Sequence, residues 1–167
     1  MLSTSEVMAV GIVLERREID NPWQSHAWCA VAVIPGAPEI DQWRVLAETP
    51  GRVRYHAGTL PLELHAKETE GYLLNLGTKL PRVYVVLRYD DEVEAGIAPF
   101  LATVCPYEAQ NCLDGDEDLV ETVPMPDVVK AWLADFVAEY HVDEPFKKRK
   151  RKPYDPRKGK PGHAGRP

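Results

Sequence analysis

Arg52-Val53-Arg54-Tyr55-His56-Ala57-Gly58-Thr59-Leu60-Pro61-Leu62-Glu63-Leu64-His65 alternates apolar and polar residues on both sides of Gly58-Thr59. Side chains alternate between the two faces of a strand, so this period-two pattern predicts two half-buried strands. Glycine in the first position of a two-residue loop suits a type II′ turn, and the stretch is expected to fold as a β-hairpin. Pairing Ala57 with Leu60 places Tyr55 opposite Leu62 and Val53 opposite Leu64 on one apolar face. Arg54 then meets Glu63, and Arg52 meets His65, on the other face. Every pair agrees in character, which makes the register self-consistent.

Further strands are expected outward from this hairpin at Val7 to Glu15, Trp28 to Ile34, Trp43 to Ala47, Tyr72 to Leu76 and Val83 to Tyr89, with turns at Pro35-Gly36 and Pro50-Gly51. Closely spaced strands bounded by Gly, Pro, Asn and Asp indicate a meander, barrel or sandwich rather than alternating strand and helix units. Helical spacing is clear at Val129, Trp132, Leu133, Phe136, Val137 and Tyr140, which predicts an amphipathic helix from Pro126 to His141 covering the sheet. Pro126 suits the first turn, and Asp127 favours the positive helix end. A shorter helix is expected from Pro106 to Leu113, before the acidic stretch Asp114-Gly115-Asp116-Glu117-Asp118. The fold class is therefore α+β, a mainly antiparallel, strand-rich domain closed by a C-terminal helix.

The 167 residues, 44% of them apolar, match one domain with one core. The net charge of −6 conceals an asymmetry. Residues 147 to 167 carry ten Lys/Arg against Asp155 alone, a net of +9, and residues 1 to 146 carry the other ten bases against 25 acids, a net of −15. Six consecutive cations, Lys147, Lys148, Arg149, Lys150, Arg151 and Lys152, precede a stretch rich in Pro and Gly that cannot build a core. The expected organisation is a globular domain at 1–146 followed by a disordered basic tail at 147–167. No run of roughly 18 apolar residues is present, and the opening Met-Leu-Ser-Thr-Ser-Glu lacks the regions of a signal peptide, so the expected location is the cytoplasm.

Cys29, Cys105 and Cys112 are an odd number without CxxC spacing, so neither a disulfide framework nor a cysteine zinc knuckle is indicated. Cys105 is the sharpest chemical candidate. It precedes Pro106 at an expected helix start, where the helix dipole favours a thiolate nucleophile. Against this stands the commoner role of a free cysteine as a small buried apolar residue. His26, Cys29, His56 and His65 are a weak candidate ligand set for zinc, because their spacing matches no compact motif and the hairpin register puts both His56 and His65 on its polar face. The acidic stretch lacks the ligand spacing of a calcium loop. Trp23, Trp28 and Trp43 bracket the second strand as core or rim aromatics rather than a ligand cage. No phosphate-binding glycine loop, GxSxG elbow or HExxH occurs, and no cofactor is indicated. The basic tail is the strongest interaction signal. It suits an acidic protein, nucleic acid or anionic lipid, although the acidic body opposes a phosphate backbone and Tyr154 is the tail's one aromatic for stacking.

Several strings belong together: Val13-Leu14-Glu15-Arg16-Arg17, Asp20-Asn21-Pro22-Trp23-Gln24, Tyr55 to His65, Thr69-Glu70-Gly71-Tyr72, Thr103 to Gln110, and His141 to Arg149. With them the chain, over roughly residues 8 to 150, resembles the domain-of-unknown-function family numbered 3305. These are small proteobacterial proteins often encoded beside molybdenum-dependent formate dehydrogenase. The resemblance implies a non-catalytic accessory or adaptor role in assembling or maturing that enzyme, with dehydrogenase subunits or assembly factors as protein partners. Two alternatives stand beside it: a thiol- or sulfur-handling maturation enzyme using Cys105, and a nucleic-acid-binding protein acting through its tail.

Overall fold

The computed structural model describes residues 4–115 and 118–142. The expected boundary at 146 and the candidate docking residues Lys147 to Lys152 lie outside the described residues. In chain order the elements are β1 (Ser5–Glu18), β2 (His26–Pro35), β3 (Arg44–Thr49), β4 (Arg52–His65), α1 (Thr69–Leu76), β5 (Arg82–Tyr89), β6 (Ile97–Thr103), α2 (Pro106–Leu113), β7 (Asp118–Pro124) and α3 (Asp127–Tyr140), with a 3₁₀ turn at Ala66–Glu68.

The stretch expected to be a hairpin is one unbroken strand, β4, paired antiparallel with β1 from end to end. Gly58 does not turn the chain, since among the described residues positive φ is confined to Gly36, Gly51 and Gly96. A β-bulge lies there instead. Ile12 pairs with Gly58 and Val13 with His56, leaving Ala57 as the extra residue. A bulge and a two-residue hairpin both shift the apolar phase by one residue, which explains why the sequence pattern suited either. Val53, Tyr55 and Ala57 face inward before the bulge, and Leu60, Leu62 and Leu64 after it. The 14 residues of β1 decide the matter, because they offer a partner along the whole of β4.

The strands form one mostly antiparallel sheet in the order β2-β1-β4-β6-β5-β7, with β3 also paired to β4. A single parallel bridge, Leu62 to Ala102, joins β4 to β6. β7 lies alongside β2, so the sheet curls into a nearly closed barrel. Two of its strands were not anticipated. β6 carries Pro99, which cannot donate to a ladder and is tolerated because the strand bulges beside it, where Val86 pairs with Leu101 and Leu87 with Pro99. β7 carries Asp118 and Glu121 and follows the acidic stretch, and it pairs with all of β5 except its last residue.

The expected strand at Tyr72 to Leu76 is helix α1. Tyr72 and Asn75, three residues apart, point inward, whereas Leu73 and Leu74 face solvent. α2 spans Pro106–Leu113, as the sequence indicates. α1 and α3 pack together at the end of the barrel where β4 finishes. There Tyr72 meets Phe136 edge-on at 6.1 Å, and α3 buries Val129, Leu133, Phe136 and Val137. Asn75 fastens α1 to the sheet. Its Nδ2 donates to the carbonyls of Arg82 (2.8 Å) and Val104 (2.9 Å), and its Oδ1 accepts from the Arg82 N–H at 3.0 Å. Helices thus close one end of the barrel. At the other end the connections 19–25, 50–51 and 90–96 surround an opening.

Candidate functional site

Four segments converge on the open end. Arg16 stands opposite Trp28 in the β1–β2 ladder, Tyr55 comes from β4, and Trp43 immediately precedes β3. Trp28 and Trp43 pack nearly perpendicular with centroids 5.4 Å apart, and each lies 5.7 Å from the Tyr55 ring. The Arg16 guanidinium sits over Tyr55, 5.8 Å from its centroid, close enough for a cation–π attraction. With Gln42, Val93, Glu94 and Ala95 these residues line a pocket of about 700 Å³, within the size range of ordinary ligand sites. The loop supplying Val93, Glu94 and Ala95 is tied by its own hydrogen bonds. Asp90 N–H donates to the Gly96 carbonyl (3.0 Å), Gly96 N–H to that of Val93 (2.8 Å), and Glu92 N–H to the Asp90 carboxylate (3.0 Å).

Beside this opening lies a charge network. Glu15 is 1% exposed and holds both Arg17 and Arg54, the latter at 2.7 Å. The hydrogen bond from Arg17, seconded by Arg54, keeps the Glu15 carboxyl below its ordinary pKa against the opposing effect of burial. Cys29 is the cross-strand neighbour of Glu15, and burial pushes its thiol pKa up. Two arginines are thereby committed to the wall, and Arg16 is left as the base that lines the pocket.

The four candidate metal ligands are not brought together. With the hairpin replaced by one strand, His56 and His65 stand nine residues apart along β4, about 30 Å at strand rise. His26 bonds Ser25 through Nδ1 at 2.8 Å, and His65 lies 3.3 Å from Glu63. His56 is buried, not on an exposed polar face. It packs against Gly11, where a Cβ would come within 2.8 Å of its Nε2. Thr59 Oγ1 donates to the Pro38 carbonyl at 2.6 Å, so at 3.1 Å it accepts from His56, which places that ring proton on Nε2. Among the described residues no three His, Cys, Asp or Glu are grouped to hold a metal ion.

Cys105 is fully buried at the start of α2. Its Sγ–H donates to Glu68 at 3.4 Å, and Gly71 leaves room for the sulfur, since a Cβ there would lie 2.8 Å away. Burial raises its pKa and Glu68 adds to the rise, outweighing the N–H groups of Tyr107 and Glu108 that favour the thiolate. The helix start expected to activate this thiol is present, but the protonated form is the favoured one.

Trp23 is not part of the aromatic group. It stands 89% exposed in the β1–β2 loop. Arg16, Tyr55, Gln42 and Glu94 carry no sequence signal as a set, because only the bulged β1–β4 pairing and the 90–96 loop bring them to one opening. The DUF3305 family profile, described as a protein of unknown function, matches residues 9–150. The chain belongs to that family. No curated protein and no solved structure matches it. In this DUF3305 chain no helix among the described residues is long and apolar enough to cross a membrane.

Proposed function

We propose that the protein is a cytoplasmic, non-catalytic adaptor that holds a protein partner at the open end of its barrel, in the service of assembling or maturing a molybdenum-dependent formate dehydrogenase. The observation that carries the docking reading is the cluster Arg16, Trp28, Trp43 and Tyr55 around one pocket. Arg, Trp and Tyr are the residues that dominate protein–protein hot spots, and Trp and Tyr give large contact area at little conformational cost. The dehydrogenase connection rests on the family resemblance. The thiol-enzyme alternative is weakened by the burial of Cys105 and by its contact with Glu68.

Affinity purification from the native host with quantitative mass spectrometry tests both parts. Full-length protein is expected to recover dehydrogenase subunits or their maturation factors, and Trp43→Ala to lose them. Recovery of nuclease-sensitive ribosomal or DNA-associated proteins in their place would move the reading to nucleic-acid binding through the tail. Full complementation of a deletion strain by Cys105→Ser is expected, and failure with partner binding retained would restore the thiol chemistry.

A further inference from the structure

We infer that the barrel mouth is built for an arginine-bearing segment of the protein partner, an inference that rests on the adaptor reading and gives the partner its chemistry. Three aromatic rings meet there at interplanar angles of 88°, 57° and 46°, so their faces look in different directions around one opening. Ring faces carry negative quadrupole charge and attract cations, and a planar guanidinium stacks on them better than an ammonium does. The described residues already contain this pairing: Arg16 lies over Tyr55, and Arg88 lies 3.3 Å from the centroid of Phe100.

Charge selects the same partner. Glu94 lines the pocket, and its loop also carries Asp90, Asp91 and Glu92, so the rim has four acids on one short hydrogen-bonded segment. Arg16 opposes them, but Arg17 and Arg54 are held by Glu15 and do not line the pocket. The body as a whole carries ten bases against 25 acids over residues 1–146. Long-range attraction therefore steers a basic segment toward the protein, and the rings with Glu94 give it a specific seat. A pocket of about 700 Å³ drawn from five segments has room for more than one side chain, as an extended peptide requires.

The test titrates full-length protein, at physiological salt, with hexa-arginine, hexa-lysine and hexa-glutamate peptides, following tryptophan fluorescence and heat. Hexa-arginine is expected to bind about tenfold more tightly than hexa-lysine, the margin that guanidinium stacking on several rings provides. Trp43→Ala is expected to weaken hexa-arginine at least about tenfold. Because Glu94 is exposed on its loop, Glu94→Lys leaves the core intact, and a comparable loss is expected from it. Equal binding of the two basic peptides, unchanged by either substitution, would reduce the effect to adsorption on an acidic surface and overturn the inference. Preference for hexa-glutamate would overturn it too and make Arg16 the selecting group. If no peptide binds while Trp43→Ala still loses partners in the purification above, the adaptor reading stands and the arginine chemistry falls; if both fail, the mouth is not the docking surface.

Discussion

The two ends of the barrel solve opposite problems with similar residues. At the helix-covered end, Tyr72 and Phe136 are buried, the Tyr72 hydroxyl accepts from the His65 N–H at 2.9 Å, and Asn75 has every polar atom engaged. At the open end, Trp28, Trp43 and Tyr55 are only partly buried, and the Arg16 guanidinium over Tyr55 forms no ion pair among the described residues. Aromatics at the first end stabilise the fold through completed packing. At the second, Trp28 and Trp43 pack only partly against the core and, with Tyr55, keep ring surface available, which is the condition of a recognition surface.

The sharpest way to break this contrast is to truncate at the closed end. Phe136→Ala, at a fully buried side chain, is expected to cost about 3–5 kcal/mol by chemical denaturation. Asn75→Ala leaves the Arg82 N–H and two carbonyls without their partner, and a loss of about 2–3 kcal/mol is expected. Tyr72→Phe removes one acceptor and should cost about 1–2 kcal/mol at neutral pH. It should also change the alkaline limb. Burial raises the Tyr72 phenol to about 12 from its ordinary 10, so its contribution is complete below pH 10 and is lost as pH rises toward 12. A denaturation midpoint that falls over that range in the native protein but not in Tyr72→Phe would confirm the sign.

Between the two ends, Glu15→Gln is expected to cost about 1 kcal/mol, less than a fully enclosed ion pair because both arginines are half exposed. The Glu15 pKa lies below its ordinary 4.5. Its stabilisation is therefore complete above that value and disappears as pH falls further, so the native protein should lose more stability than Glu15→Gln during acid titration. The smallest effect belongs to the mouth. Arg16→Ala should change stability by no more than about 0.5–1 kcal/mol, the size of a solvent-accessible cation–π contact. A larger loss would show that Arg16 is part of the scaffold and would erase the contrast.

The strand content was legible because period-two alternation is local. The connection at Gly58 was not, because the phase shift there is common to a bulge and a hairpin, and only β1, some 45 residues away in sequence, distinguishes them. Tyr72 to Leu76 misled for the opposite reason: a continuous apolar run carries no period, and the inward pair Tyr72 and Asn75 includes a polar residue. At the candidate site, Trp28 and Trp43 stand out in the sequence as aromatics, whereas the pattern around Tyr55 points to a hairpin face and Glu94 falls in no expected element. Their convergence depends on strand pairing and loop closure that composition does not encode. For Cys105 both the helix start and the commoner buried role are legible in the sequence, and the structure bears out the burial; the contact with Glu68 and the close approach of Gly71 are not legible, because they come from elsewhere in the chain.

The Leu62–Ala102 bridge has a consequence for how the chain is made. All ladders among β1, β2, β3 and β4 lie within the first 65 residues, and those among β5, β6 and β7 lie within residues 82–124. Each half can complete its own antiparallel pairing as soon as it leaves the ribosome, the N-terminal half first. The parallel bridge is the seam between them, and it must wait for the second half. Until then the upper edge of β4 and the edge of β2 are open strands, so the nascent chain is most exposed to mispairing in the interval between the synthesis of His65 and that of Pro124.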